Sequence, residues 1–177
     1  MQKNETAACL ALLAAAYPTN TVSQETAMVY HAVLGNLDSV AVLKAAQMLI
    51  ATEYWFPSPA AILRQVAAND GTLAPAAIEA WAETLVQVRV VGRMGTPIFG
   101  HPTIDQAVKS LGWNNICMSE NIDILRGQFL RAYGGMADAH DNAILRGMSA
   151  LVRDFGGSVA LAEPTRGLTS HRGLGRG

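Results

Sequence analysis

The sequence has 177 residues, of which 50% are apolar and 15% are charged, and this composition excludes wholesale disorder. Its length suits one mid-sized domain or two small ones. Thirteen Lys and Arg against fourteen Asp and Glu give a net charge of -1, so the total charge does not predict general adhesion to nucleic acid or to anionic membranes.

The chain opens with an apolar run over residues 7–16, which is too short to span a bilayer and is followed by Tyr17-Pro18. We interpret it as a helix with a small-residue face, because no basic segment of the kind found in signal peptides precedes it. Cys9 and Cys117 do not reach the cysteine density of disulfide-rich secreted domains. We therefore expect a cytoplasmic protein with no membrane partner.

The first 70 residues predict four short helices that form one helical domain. The predicted N-caps are Asn4, Ser23, Asp38 and Ser58. Gly35 ends the second helix, and Pro59 at the first helical position starts the fourth. In the third helix Val40, Leu43, Ala46 and Ile50 recur with a helical period, so we expect this stripe to face the core.

Residues 71–155 predict a second helical domain, which begins after the turn signal Asp70-Gly71. Its first helix carries an apolar stripe made of Ile78, Trp81, Leu85 and Val88. Residues 86–90 also alternate apolar and polar side chains with β-branched residues, so a strand over 85–91 stays open as an alternative to the favoured helix. Thr103 and Gln106 resemble a capping box that opens a further helix.

A long helix is predicted to start at Ser119, with Ile122, Leu125, Phe129 and Ala132 as its core stripe. Gly134-Gly135 is expected to break it. A final helix is then marked by the apolar residues Leu145, Met148, Val152 and Phe155. Residues 156–177 contain six Gly and three Arg, and we expect them to form a flexible tail.

The motifs that carry common enzymatic chemistry are missing from the sequence. The three lysines lack the glycine-rich loop of a nucleotide-binding site. The four histidines show no metal-ligand spacing, and the compact group Asp138–Asp141 is best interpreted as an exposed helix start. No serine stands in a nucleophile elbow. We therefore expect no catalytic residue, no metal and no cofactor, and a protein that is not an enzyme.

Four arginines are candidates for contact with DNA, and four aromatic residues are candidates for the core. Arg89 and Arg93 are expected on one helical face, with Arg126 and Arg131 on the long helix. A solvated or salt-bridged face is the favoured interpretation, and DNA binding is the alternative. The aromatic residues at helical stripes or turns, for which we expect core packing over base stacking, are Trp81, Trp113, Phe129 and Tyr133.

The segments Ala16-Tyr17-Pro18, Ser23, Tyr30 and Phe56-Pro57-Ser58-Pro59-Ala60-Ala61-Ile62 resemble the N-terminal helical domain of the phage replicative helicase loader and inhibitor family. A second stretch is similar to the C-terminal segment of phage replisome-organiser proteins, and it includes Pro97–Pro102, Leu111–Trp113 and Leu125–Tyr133. Together the two likenesses cover about residues 5–134.

The resemblance implies an ATPase-free replication adaptor that binds the hexameric replicative helicase, restrains it and helps to load it on DNA. It also implies an origin-binding protein and a single-strand-binding protein as partners, and a flexible C-terminal region that contacts the helicase. The helicase-binding candidates in and before the corresponding tail are Arg153, Phe155, Arg166, Arg172 and Arg176. The alternative is a DNA-binding replisome or repressor-like protein.

Overall fold

The structure is a computed structural model that describes residues 1–149. These residues form eight α-helices and no strand, which confirms the all-α prediction. The helices are α1 (Lys3–Ala16), α2 (Gln24–Leu34), α3 (Ser39–Thr52), α4 (Pro59–Asn69), α5 (Ala77–Val91), α6 (Pro102–Leu111), α7 (Trp113–Met118) and α8 (Ile122–Met148). The helix favoured over residues 85–91 is therefore confirmed against the strand alternative.

The predicted caps of α2, α3 and α4 are confirmed. Ser23, Asp38 and Ser58 each accept a hydrogen bond from the backbone N–H three residues later. The predicted cap of α1 was wrong, because α1 begins at Lys3 and Gln2 precedes it as N-cap. Glu5 accepts a hydrogen bond from the Gln2 N–H, so the capping box starts at Gln2 and Asn4 lies inside the first turn.

Helices α1–α4 surround one group of buried side chains, which we call the first core. Leu13, Leu34, Val42 and Ile62 lie at its centre. The predicted core stripe of α3 was wrong in part: Val40 is 72% exposed and Leu43 is 40% exposed. The buried residues of α3 are Val42, Ala45, Ala46 and Leu49. Two apolar stripes compete on this helix, and the one with two adjacent alanines faces inward, which leaves room for α4 to pack closely.

Helices α5–α8 surround a second group of buried side chains, the second core. Trp81 packs against Phe129 with ring centroids 5.1 Å apart, and Phe129 stacks on Tyr133 at 5.7 Å. Phe129 and Tyr133 are fully buried and Trp113 is half-buried, so core packing of these aromatic residues is confirmed. Ile78 was wrongly placed in the core stripe of α5: it is 65% exposed, and Ala80, Trp81 and Thr84 are the buried residues.

Helix α8 is continuous over 27 residues, so the predicted break at Gly134-Gly135 was wrong. Phe129 and Tyr133 before the glycines, and Met136 beside them, are anchored in the second core, which holds the helical path through this point. Of the predicted final helix, Leu145 and Met148 belong to the last two turns of α8. Val152 and Phe155 lie outside the described residues.

The far end of α8 reaches the first core, where Leu145 and Met148 pack. The connection between α4 and α5 is also tied to α8: Asp141 Oδ1 accepts a hydrogen bond from Ala74 N at 2.9 Å, and the Tyr133 hydroxyl donates to the Pro75 carbonyl at 2.7 Å. The division into domains at residues 70 and 155 stays a prediction. The two cores nevertheless share one helix.

None of the described helices is by itself both long and apolar enough to cross a membrane. The one pair that meets the length and composition criteria together, α2 with α3, is bent by 116° at its junction.

Candidate protein-contact surface

Residues 53–58, which connect α3 to α4, expose two large aromatic side chains. We call this segment the aromatic turn. Tyr54 is 93% exposed and Trp55 is 83% exposed, whereas the adjacent Phe56 points inward and packs on the first core. Pro57 and Pro59 prevent a continuous helix here, because each lacks a backbone N–H and restricts the residue before it.

Contacts from α2 and from the end of α1 hold the aromatic turn in place. The Tyr17 hydroxyl donates to the Glu53 carbonyl at 2.9 Å, and the Tyr30 hydroxyl donates to the Pro57 carbonyl at 2.6 Å. The Phe56 ring lies between these two tyrosines, with edge-on centroid distances of 5.8 Å to Tyr17 and 6.2 Å to Tyr30. The exposure of Tyr54 and Trp55 is thus built into a fixed backbone.

Burial raises the pKa of Tyr30 to about 12, with a smaller contribution from the nearby Cys9. The phenol therefore stays protonated at physiological pH and keeps donating its hydrogen bond to Pro57. A neutral donor at this position holds the turn without placing a charge in the first core.

A groove of about 420 Å³ lies beside the aromatic turn. Its lining combines the end of α1 with the last turn of α3 and the start of the turn: Ala16, Tyr17, Ile50, Ala51, Thr52, Glu53 and Tyr54. The lining is both polar and apolar. Exposed Tyr and Trp are typical of protein interfaces, where such side chains contribute a large share of the binding energy. The aromatic turn and this groove together form a candidate contact surface for a protein partner.

From the sequence pattern, Trp55-Phe56 was interpreted only as part of a helix break, and Tyr54 was not predicted to be functional. The available signal was three consecutive aromatic residues before a proline, of which a single small core can bury only some. Which of the three face outward depends on the hydroxyls of Tyr17, which follows α1, and Tyr30 of α2. A sequence pattern does not report such tertiary contacts.

The structure places the four candidate DNA-binding arginines on the surface but not as two matched pairs. Helix α5 ends at Val91 and Gly92 has a φ of 66°, so Arg93 lies beyond the helix and the shared helical face predicted for Arg89 and Arg93 was wrong. The Arg93 guanidinium approaches Met118 Sδ at 3.5 Å. Arg126 and Arg131 lie five positions apart on α8, which separates them by about 140° around its axis.

All four of these arginines are exposed, and DNA contact stays a prediction. The helicase-binding candidates Arg153, Phe155, Arg166, Arg172 and Arg176, and the whole tail 156–177, lie outside the described residues.

A histidine pair joins α6 to α8. His101 is the N-cap of α6, and its Nδ1 accepts a hydrogen bond from Thr103 N at 3.2 Å. Its ring meets that of His140 edge-on at a centroid distance of 4.8 Å. Burial, and then the neighbouring His140, lower the pKa of His101, while Asp141 and Glu83 act in the opposite direction.

The group Asp138–Asp141 lies in the middle of α8, so its interpretation as the start of a helix was wrong. His140 Nδ1 and Asp141 Oδ1 are 3.2 Å apart, and the same carboxylate oxygen accepts the hydrogen bond from the Ala74 N–H. Within residues 1–149 no group of three or more His, Cys, Asp or Glu side chains is arranged to hold a metal ion. Through Asp141 the cluster connects α8 to the segment between α4 and α5.

Comparison with known families gives a match over the part of the chain that forms the first core. Residues 1–63 match the family model of the N-terminal domain of the phage helicase loader and inhibitor. Neither the curated proteins nor the solved structures contain a match to this chain. The matched residues include α1, α2, α3 and the entire aromatic turn. The predicted likeness to the N-terminal domain of the phage helicase loader and inhibitor family is thus confirmed over residues 1–63.

Proposed function

We propose that this chain is a phage DNA replication adaptor that binds the hexameric replicative helicase, restrains it, and helps to load it on DNA without hydrolysing ATP. The observation that carries the proposal is the match of residues 1–63 to the N-terminal domain of the loader and inhibitor family. The absence of a nucleotide-binding motif from the sequence agrees with an adaptor that is not an enzyme.

Two regions are proposed to contact the helicase. The first is the aromatic turn, where Tyr54 and Trp55 are available to a protein partner. The second is the C-terminal region with Arg153, Phe155 and the arginines of residues 156–177, which carry a net charge of +2. A segment that becomes ordered only when it binds has a lower affinity, because ordering costs conformational entropy. The lower affinity eases release of the helicase after DNA is bound.

Without ATP hydrolysis, the adaptor changes the helicase ring only through a difference in affinity for its closed and open forms. A shift from 1:99 to 99:1 needs about 5.5 kcal/mol of preference. Six bound copies would supply it at about 1 kcal/mol each, so a modest contact per subunit is sufficient. The proposed further partners are an origin-binding protein and a single-strand-binding protein in the bacterial host cytoplasm.

Co-elution with a hexameric replicative helicase from the same phage or its host tests the proposal. The full chain should elute with the helicase, and deletion of 156–177 should abolish co-elution. Tyr54→Ala combined with Trp55→Ala should weaken it at an unchanged melting temperature, because both side chains are exposed. Val40→Ala is the matched control, since Val40 is also exposed but lies elsewhere on α3. A chain that binds no such helicase contradicts the proposed function.

Direct DNA binding is the second candidate, and the exposure of Arg89, Arg93, Arg126 and Arg131 favours it. Retention of duplex or single-stranded DNA by the purified chain, with a steep dependence of affinity on salt concentration, would support this function. The fold's near-neutral charge favours weak retention with a shallow salt dependence instead.

A further inference from the structure

The outward face of α5 carries a row of apolar residues that nothing in residues 1–149 covers. Ile78 is 65% exposed, Val86 is 52% exposed and Val90 is 76% exposed, and Ala82 lies between them at the same four-residue spacing. This spacing forms one ridge along the helix, on the side opposite to the buried Trp81 and Thr84.

Ile98 is a further exposed apolar residue near α5. Its backbone N–H donates to Gln87 Oε1 at 3.3 Å, which places the residue beside α5, and its side chain is 79% exposed. The neighbouring Glu83 carboxylate is occupied, because its Oε1 accepts the Gly100 N–H at 2.6 Å. A row of exposed apolar side chains on a folded protein is a candidate contact site for another macromolecule.

The charges along α5 identify the partner. Glu79 lies near the beginning of the helix and Arg89 near its end, and both are exposed. Counted from Thr84, Glu79 and Arg89 are equally distant in opposite directions, as are Ile78 and Val90, and Ala82 and Val86. A second α5 lying antiparallel therefore sets apolar against apolar residues and each carboxylate near a guanidinium. A parallel copy would bring like charges together.

We propose that this face of α5 is the contact between two copies of the chain, paired antiparallel about a two-fold axis level with Thr84. Such an interface uses the same surface on both copies and closes at two. One helix pair is smaller than the roughly 1,200–2,000 Å² of a standard stable interface, so the dimer is weak and forms at high local concentration. The inference goes beyond the proposed function, because it concerns the protein without helicase.

Sedimentation equilibrium of the full chain over a concentration series tests the pairing. The mean mass should rise from 18.8 kDa toward twice that value as concentration increases. Val86→Lys should hold the mass at one chain, since each copy would then place one lysine against the partner's apolar ridge. Val40→Lys, at an exposed apolar position outside α5, should dimerise like the parent.

Charge reversal tests the antiparallel arrangement separately. Arg89→Glu should raise the concentration of half-dimerisation by about tenfold, because it faces the partner's Glu79 in both halves of the interface. Adding Glu79→Arg should restore most of the loss, with helix content monitored by circular dichroism because Glu79 also accepts the Ala76 N–H. Failure of this restoration would overturn the antiparallel pairing.

Four other outcomes would overturn the proposal. The first is a mass of one chain at every concentration, and the second is a dimer that Val86→Lys does not affect. The third is a dimer that appears only after removal of 150–177, which would assign the α5 face to the chain's own C-terminal residues. The fourth is a monomer whose helicase co-elution is lost in Val86→Lys, which would assign the face to the helicase.

Discussion

Aromatic residues in this protein divide into rings that stabilise a core and rings that face solvent, and the two kinds should respond differently to truncation. Phe129 is fully buried between Trp81 and Tyr133, whereas Trp55 is 83% exposed. Phe129→Ala should lower the free energy of unfolding by about 3–5 kcal/mol, because it removes buried apolar surface and leaves a cavity. Trp55→Ala should change it by less than about 0.5 kcal/mol. Urea denaturation of both variants measures the difference, and similar losses would contradict the orientation of the aromatic turn.

We expect His101 to make the stability of the protein dependent on pH. The pKa of His101 is lowered from its ordinary value of 6.5, so the unfolded chain binds its proton more readily than the folded one. Stability therefore falls as pH decreases through 6.5 toward the folded pKa, and this contribution is fully present only above 6.5. Protonation also removes the Nδ1 acceptor for Thr103 N and brings a charge next to His140.

His101→Asn tests this dependence, because asparagine keeps the capping acceptor and does not titrate. The parent should lose more melting temperature than the variant between pH 7.5 and pH 5.5. An equal loss in both proteins would show that His101 is not the titrating group.

Sequence patterns predicted the buried aromatic residues more reliably than the exposed aromatic residues. Trp81 and Phe129 each lie in an apolar stripe of helical period, on α5 and on α8, and both side chains are buried in the second core. Tyr54 and Trp55 lie in a turn without periodicity. Their exposure follows from two hydrogen bonds that hold the turn. The Tyr17 hydroxyl binds a carbonyl 36 positions away in the sequence, and the Tyr30 hydroxyl binds one 27 positions away.

Among the helices, boundaries set by local chemistry were predicted well and boundaries that depend on packing were not. Ser23, Asp38 and Ser58 cap their helices through contacts within four residues, so sequence contains the whole cause. Gly134 and Gly135 disfavour helix by their own propensity, yet the packing of α8 on α5 and α6 overrides it. The inward face of α3 was likewise decided by α4 and not by the helix itself.

Replacing a glycine of α8 should stabilise the protein, because a Cβ at Gly134 meets no atom within 4 Å. Gly134→Ala should raise the free energy of unfolding by about 0.5–1 kcal/mol by reducing the freedom of the unfolded chain. Gly112→Ala is the matched control and should destabilise, since Gly112 has a φ of 83° that alanine rarely adopts. Thermal melts of both variants check the opposite signs. Destabilisation by Gly134→Ala would contradict a continuous α8.

For the whole molecule, α8 is the element that connects the two cores. Leu145 packs on the first core although it lies outside the residues matched to the loader N-terminal domain. Leu145→Ala should therefore accelerate amide hydrogen exchange in α1–α4, because it removes apolar contact from their core. Arg146→Ala, on the exposed side of the same turn, should leave the exchange unchanged. Equal exchange in both variants would place the end of α8 away from the first core.

The all-α class and the family of the first 63 residues could be predicted from sequence, since capping residues, turn prolines and their order carry both. The sharing of one helix between two cores could not. It depends on contacts between residues about a hundred positions apart, such as Leu145 with the first core, and on the hydrogen bond from Ala74 to Asp141.

The docking of α8 on the first core also fixes where the chain continues. Helix α8 is about 40 Å long, and Met148 at its end returns the backbone to the helices that present the aromatic turn. The described part of the chain therefore ends beside the first core, at Ser149. If the aromatic turn and residues 150–177 both bind the same helicase subunit, as proposed, the first contact raises the effective concentration of the second. Two contacts of low affinity then give a complex that dissociates slowly.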